Sequence, residues 1–290
     1  MGHVNRAPFP YYGGKQQLCD LIASLLPKHT TYVEVFGGAA AVLFAKAPSK
    51  IEIYNDLEDG VVNFFRVLRD REMAKRLGEL LDLTPFAREE LFACRRDWAG
   101  EGDPVEKARA WFVLAQMSFA GRINSDTGFR YTKGASHSPV SSFRTAIDLL
   151  PAFSRRLRQV IVEQLDFRKI LTNYDAPGVC FYCDPPYVLS ARKRDGYALE
   201  MSDSDHEELL ALATSRSGAV VLSGYDTPQY REALADWALV QVTGFTAAAR
   251  RTQRAGLQGK GSVSQREDMR RTECIWISPN AVRQPALWTA

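Results

Sequence analysis

A short apolar run, Gly178-Val179-Cys180-Phe181-Tyr182-Cys183, stops at Asp184-Pro185-Pro186-Tyr187. β-Branched and aromatic residues packed into so few positions read as a buried strand, and the carboxylate and prolines that follow close it at a loop. Each proline lacks an N–H and fixes its own φ, so the loop is stiff and its carbonyls are aimed. Such a loop suits chemistry on a planar amino group. Asp184 can accept a hydrogen bond from an amine, and the Tyr187 ring can stack on a flat base.

The surrounding pattern makes this strand part of a larger sheet. Thr31–Phe36 reads as a first strand, broken by Gly37-Gly38 and followed by a helix over Ala39–Ala47. Lys50–Tyr54 reads as a second strand ending at Asn55-Asp56, and this β-loop-α-β unit predicts a parallel sheet. From Val61 to Arg158 charged, helix-periodic segments take over: Val61–Arg71, Glu72–Leu83, Ala87–Trp98 and Val105–Phe119. They are interrupted by Ala120–Ser142, rich in Gly, Ser, Thr and Asn. Its turn, Asn124-Ser125-Asp126-Thr127-Gly128, predicts a hairpin near 120–135. The Arg155-Arg156-Arg158 cluster beyond it reads as the solvated face of a helix. Strand–helix alternation then resumes, with strands at Val160–Glu163, Val179–Cys183, Ala219–Ser223, Ala238–Thr243 and Glu273–Ile277. Helices are expected at Ser204–Thr214 and Gln229–Asp236. Two α/β blocks, 1–60 and 159–290, thus flank a helical insert, 61–158.

With 290 residues, 46% of them hydrophobic, the chain can bury a large core. The formal net charge of +3 is too mild to imply a nucleic-acid partner by itself, so the distribution of charge matters more. Five cysteines, an odd number, argue for a reducing compartment rather than a disulfide framework. Cys180 and Cys183 read as strand residues rather than as half of a metal or redox site, and His3, His29, His137 and His206 show no ligand spacing, so no metal is expected. Met1–Arg6 holds no apolar signal core. The longest apolar stretch, Phe36–Ala45, is too short to span a bilayer. A soluble cytoplasmic protein is expected.

Three further elements converge on one ligand site: Tyr11-Tyr12-Gly13-Gly14-Lys15, Glu34-Val35-Phe36-Gly37-Gly38 and Asn55-Asp56. Ligands of open α/β sheets sit beyond the carboxyl ends of the strands. Glycines after the first strand let the backbone approach the ligand and start a helix. A carboxylate ending the second strand suits ribose hydroxyls, and Asp56 stands 56 − 34 = 22 residues beyond Glu34. The pattern is not Gly-x-Gly-x-x-Gly, and a carboxylate at the strand end would repel a pyrophosphate. It suits a cationic ligand such as S-adenosylmethionine, with Lys15 balancing the ligand's own carboxylate.

With these motifs and their order, the chain resembles the Dam-type, D12 class DNA adenine-N6 methyltransferases. The carrying residues are Pro10–Lys15, Glu34–Gly38, Ile53–Asp56 and Asp184–Tyr187, with Thr272–Ile277 as the closing strand. The resemblance implies a Rossmann-like seven-stranded S-adenosylmethionine-dependent methyltransferase sheet whose last strand is antiparallel. It also implies that the insert is a target-recognition domain. It places Tyr11, Lys15, Asp56 and Asp184 against S-adenosylmethionine, with Glu34 in the same pocket beside Phe36, Gly37 and Gly38. Asp184, Pro185, Pro186 and Tyr187 are its catalytic positions. Asp184 and the Pro185 carbonyl would accept the two N6 hydrogens of an adenine flipped out of the duplex, and Tyr187 would stack on it. Tyr11 stands where a Trp is common and Val35 where Pro is common; the first alters packing around the cofactor, and neither removes a required polar group.

Duplex DNA is the partner so implied, and the chain would act as a monomer. Arg122, Asn124, Arg130 and Lys133 on the expected hairpin are candidates for base contacts. Arg250, Arg251, Arg254 and Lys260 in the basic, glycine-containing loop before the last strand are candidates for phosphates. Turn chemistry and a solvated loop explain the same two segments without DNA. Three other readings remain open on the sequence: an adenine methyltransferase acting on RNA, a non-catalytic DNA-binding relative, and a nucleotide-binding oxidoreductase of doubly wound fold. The missing Gly-x-Gly-x-x-Gly and the intact Asp184–Tyr187 motif count against the last.

Overall fold

The computed structural model describes residues 6–121, 123, 128–132, 138–187, 200–245 and 270–283. Seven strands form one sheet: β1 (Thr31–Glu34), β2 (Ile51–Asn55), β3 (Val160–Glu163), β4 (Val179–Cys183), β5 (Ala219–Tyr225), β6 (Ala238–Phe245) and β7 (Arg270–Ile277). Their order is β3-β2-β1-β4-β5-β7-β6. The first five pair in parallel, and β7 runs antiparallel to both β5 and β6. This is the Rossmann-like methyltransferase sheet expected from the sequence.

The strand order reverses between β1 and β4, which lie side by side with Glu34 opposite Tyr182. A crevice opens at such a switch point, because the connections leaving the two strands go to opposite sides. Glu34 ends β1, and Asp184 immediately follows β4. The crevice therefore collects the residues singled out by their motifs.

Alternation along each strand divides the core into two layers. Tyr32, Tyr54, Cys180 and Tyr182 face one side, and Val33, Ile53, Phe181 and Cys183 the other. The second layer is covered by α8 (Phe167–Asn173), α9 (Asp203–Ser215) and α10 (Pro228–Ala233), through Ile170, Leu209, Leu210 and Tyr230. The first is covered by α1 (Cys19–Leu25), α2 (Ala41–Ala45) and the helices between β2 and β3. These are α3 (Asp59–Arg69), α4 (Arg71–Leu83), α5 (Arg88–Asp97), α6 (Pro104–Met117) and α7 (Pro139–Leu157). Phe65 of α3 meets the Tyr54 ring edge-on at 4.7 Å, so this helical stretch shares its core with the sheet. A short α11 (Asn280–Arg283) follows β7.

Helix starts follow local chemistry. Asp70 accepts from the Glu72 and Met73 N–H groups to cap α4. Asp103 and Ser138 cap α6 and α7, each with a proline in the first turn. Ser202 and Asp205 form a reciprocal capping box on α9.

Several boundaries differ from the sequence reading. β1 ends at Glu34 rather than Phe36, and α2 is confined to five residues because Gly38 and Ala40 both take positive φ. The seven-residue helices α1 and α8 are too short to show a 3.6-residue period, and the sequence reading did not anticipate them. Arg156 is not on a solvated face. It is mostly buried, paired with Glu52 of β2, and donates to the Leu43 carbonyl.

Candidate active site

The loop after β1 is built around close approaches. A Cβ on Gly37 would lie 2.1 Å from the buried Tyr54 ring. Gly38 has φ +47° and lies against the Tyr11 ring. The Tyr54 hydroxyl donates to the Gly38 carbonyl at 2.7 Å, and the Gly38 N–H donates to Asp56 Oδ2 at 2.7 Å. The other Asp56 oxygen accepts from the Glu58 N–H at 2.8 Å. Asp56 thus ties the end of β2 to the glycine loop, and burial raises its carboxyl above the usual range. Asn55 fixes the neighbouring strand ends by donating to the Val35 and Leu165 carbonyls, both at 2.9 Å.

Glu34 is fully enclosed. Burial pushes its carboxyl up to about 8, although Tyr32 OH and the Leu43 N–H both donate to it. The charge of Lys46 also opposes that rise without cancelling it.

The glycine-lysine segment folds over this floor. Tyr11 OH donates to Glu58 Oε2 at 2.6 Å, while Trp111 Nε1 donates to Glu58 Oε1 at 3.2 Å. Gly13 takes φ +75°, and Lys15 Nζ turns back to its carbonyl at 3.2 Å. The same ammonium reaches Asp184 Oδ1 at 2.7 Å and Glu273 Oε1 at 3.3 Å. Its contact with Asp184 has ion-pair distance, although the angle is not that of a well-directed hydrogen bond. Burial raises the Asp184 carboxyl and Lys15 opposes that rise.

Pro185 and Tyr187 are buried and Pro186 is half-buried. Tyr187 OH donates to Glu273, and its ring meets Tyr225 edge-on at 4.4 Å. Lys15 Nζ sits 4.7 Å from the Tyr187 ring centroid. Tyr187 is thus held on three sides by packing and charge.

Two cavities meet at Tyr11 and Asp184. The larger, of about 160 Å³, is lined by Phe36, Asp56, Leu57, Glu58, Leu165, Asp166, Phe167 and Pro186, among others. Its Phe36 and Phe167 rings are 5.7 Å apart. The smaller, of about 40 Å³, is lined by Gly13, Gly14, Lys15, Glu34, Gly37, Gly38 and Tyr182. Carboxylates around the two outnumber the cations Lys15 and Arg168. The larger cavity thus sets aromatic and apolar walls beside Asp56, Glu58, Asp166 and Asp184, while the smaller is glycine-rich, with Glu34 and Lys15.

The structure brings together Tyr11, Lys15, Glu34, Phe36, Gly37, Gly38, Asp56 and the Asp184–Tyr187 loop. Sequence reasoning missed Glu58, Leu165-Asp166-Phe167 and the contacts of Glu273 with Lys15 and Tyr187. Asp166 carried a usable signal, since it caps α8 by accepting from the Arg168 N–H at 2.9 Å. Of the expected DNA contacts, Arg122, Asn124, Lys133, Arg250, Arg251, Arg254 and Lys260 lie outside the described residues. Arg130 is described. It is half-buried, and its N–H donates to the Met117 carbonyl at 2.7 Å. Ser118 and Phe129 bridge antiparallel beside it, as the two arms of a hairpin would. Among the described residues no cluster of His, Cys, Asp and Glu is arranged for a metal, and no helix is long and apolar enough to cross a membrane.

Comparison with known proteins points the same way. The DNA adenine methylase of Serratia marcescens is 24% identical over 272 residues, covering 90% of this chain and 97% of that protein. The DNA adenine methylase of Escherichia coli (strain K12) is 25% identical over 238 residues, covering 79% and 84% respectively. Modification methylase StsI of Streptococcus sanguinis is 24% identical over 202 residues, 64% of this chain, which spans only 29% of that relative. The family model for D12 class N6 adenine-specific DNA methyltransferases matches residues 11–248, and the chain belongs to that family of DNA-modifying enzymes.

Proposed function

We propose that the protein transfers a methyl group from S-adenosylmethionine to N6 of an adenine flipped out of duplex DNA at a specific sequence. The observation that carries this reading is the position of Asp184, at the sheet's switch point and in the wall of both cavities.

The bound cofactor would supply an electrophilic methyl on a sulfonium sulfur. Phe36, Leu57, Leu165 and Phe167 would hold its adenine, Asp56 its ribose, and Glu34 its ammonium. N6 of adenine is a weak nucleophile because its lone pair is delocalised into the ring. Asp184 and the Pro185 carbonyl would accept its two hydrogens and aim that lone pair at the methyl, while Tyr187 offers its ring to the base. N6 would bond to the methyl carbon as the sulfur–carbon bond breaks, with the electron pair of that bond left on the departing S-adenosylhomocysteine. One N6 proton then leaves, so no covalent enzyme intermediate is required.

In this reading residues 1–60 and 159–290 form the catalytic domain and 61–158 the target-recognition domain. Arg122, Asn124, Arg130 and Lys133 read bases, and Arg250, Arg251, Arg254 and Lys260 track phosphates. A monomer in the cytoplasm suffices, since each event acts on one base. The test is transfer of labelled methyl from S-adenosylmethionine to unmethylated duplex DNA and, in parallel, to structured RNA. Label in DNA that is lost in Asp184→Ala supports the reading. Label in RNA alone would replace the substrate.

A further inference from the structure

Asp184 is one of two carboxylates at Lys15. The other is Glu273, on β7, whose strand neighbours are Tyr225 and Val242. Its Oε1 lies 3.3 Å from Lys15 Nζ and also accepts the Tyr187 hydroxyl. Neither cavity is lined by Glu273. It stands behind the site, only 17% exposed, against a lysine 8% exposed. A carboxylate so enclosed is costly to bury unless it is paired, and among the described residues this one pairs with Lys15, which it shares with Asp184.

We propose that Glu273 is a charge-balancing positioning residue for methyl transfer, acting through Lys15 and Tyr187. The inference rests on the methyl-transfer reading above. During transfer N6 becomes positively charged. If Lys15 faced Asp184 alone, the two would form a neutral pair, and the ammonium would repel the charge growing on N6. Burial and Asp184 raise the Glu273 carboxyl and Lys15 opposes that rise. With both carboxyls ionised the cluster holds two carboxylates and one ammonium, a net charge of −1, so Asp184 stays available to the amine. The bond from Tyr187 OH to Glu273 also fixes the ring that would receive the base, tying charge balance to base position. A buried, preorganised charge acts more strongly here than in water.

The experiment is a single-turnover methylation assay on unmethylated duplex DNA with wild type, Glu273→Gln, Glu273→Asp, and each of these variants combined with Lys15→Met. Affinity for S-adenosylhomocysteine is measured by calorimetry alongside. Glu273→Gln retains shape and an acceptor for Tyr187. It should slow transfer about tenfold or more, while product affinity changes by less than about threefold. Glu273→Asp keeps the charge and should keep most of the rate. Adding Lys15→Met to Glu273→Gln should recover rate or cost nothing further, because the cluster returns to −1.

The groups facing Glu273 are Lys15, Asp184, Tyr187, Tyr225 and Cys274. Removing its charge should move the acid limb of the rate to lower pH, since Asp184 then ionises more easily. Glu273→Gln at the wild-type rate, Glu273→Asp as slow as Glu273→Gln, or losses that simply multiply with Lys15→Met would each overturn the inference and leave the methyl-transfer reading intact. A wild type that binds the cofactor but methylates no DNA would remove that reading, and this inference with it. If Glu273→Gln lowers the melting midpoint sharply, Glu273→Asp with and without Lys15→Met decides the question.

Discussion

Lys15 Nζ lies 2.7 Å from Asp184 Oδ1, joining the N-terminal glycine-lysine segment to the end of β4. The sequence suggested that Lys15 would serve the carboxylate of a ligand. In the fold its ammonium meets two carboxylates of the protein itself. It therefore bears on the ionisation of the group expected to orient the substrate amine.

Replacing Lys15 by Met should move the acid limb of the methylation rate to higher pH. Burial already raises the Asp184 carboxyl, and Lys15 is what opposes that rise. Without it Asp184 takes up its proton at higher pH, and in that form it is a poorer acceptor for N6. A pH–rate profile of the variant checks this, and an unmoved limb would show that Lys15 does not act through Asp184.

Glu34 makes both stability and ligand binding pH-dependent. Its folded-state value of about 8 lies above its ordinary 4.5, so between these two pH values the folded protein binds more protons than the unfolded chain. Stability must then fall as pH rises through that window, by an amount on the order of a few kcal/mol. Glu34→Gln should melt higher than wild type at pH 8 and alike near pH 4.5. A cation placed beside Glu34 should expel its proton, so S-adenosylmethionine should bind more tightly from pH 6 to 8 with proton release. Calorimetry in buffers of different ionisation enthalpy measures that release.

Gly37→Ala should destabilise the protein by about 1–3 kcal/mol and weaken cofactor binding. The added methyl would sit 2.1 Å from the Tyr54 ring, which is buried and bonded to the Gly38 carbonyl. Urea denaturation and cofactor titration check the two effects. A variant matching wild type in both would mean that the loop gives way without disturbing the site.

Arg156→Ala should cost about 3 kcal/mol. Glu52 is 1% exposed and would keep Lys46 as its cation. Burial alone would raise the Glu52 carboxyl, but Arg156 and Lys46 outweigh it and hold the group below its usual range. The stabilisation is therefore present above the ordinary carboxylate range and lost as pH falls through the folded-state value. The gap between wild type and variant should narrow in acid, which denaturation at several pH values measures.

These relationships show what the sequence could and could not reveal. β4 and its Asp184–Tyr187 loop were legible because a fully buried strand is apolar throughout and two prolines must end it. Gly37 and Asp56 were legible because a ligand loop needs backbone freedom and a carboxylate at fixed positions. Glu58 was not, because its role depends on Tyr11 and on Trp111, which only the packing of α6 brings near. Glu273 read as an ordinary strand residue until the antiparallel placement of β7 set it beside Lys15. Arg156 looked like one charge among several, since nothing local marks a helix face that turns toward β2.

Methylation of adenine N6 in duplex DNA is the activity proposed for this site. It is tested most directly by incubating the purified protein with S-adenosylmethionine and unmethylated genomic DNA, then mapping N6-methyladenine at base resolution. Methylated adenines should be confined to one recurring sequence, and none should be found with Asp184→Ala. DNA left without N6-methyladenine by a protein shown to bind S-adenosylmethionine would contradict that activity.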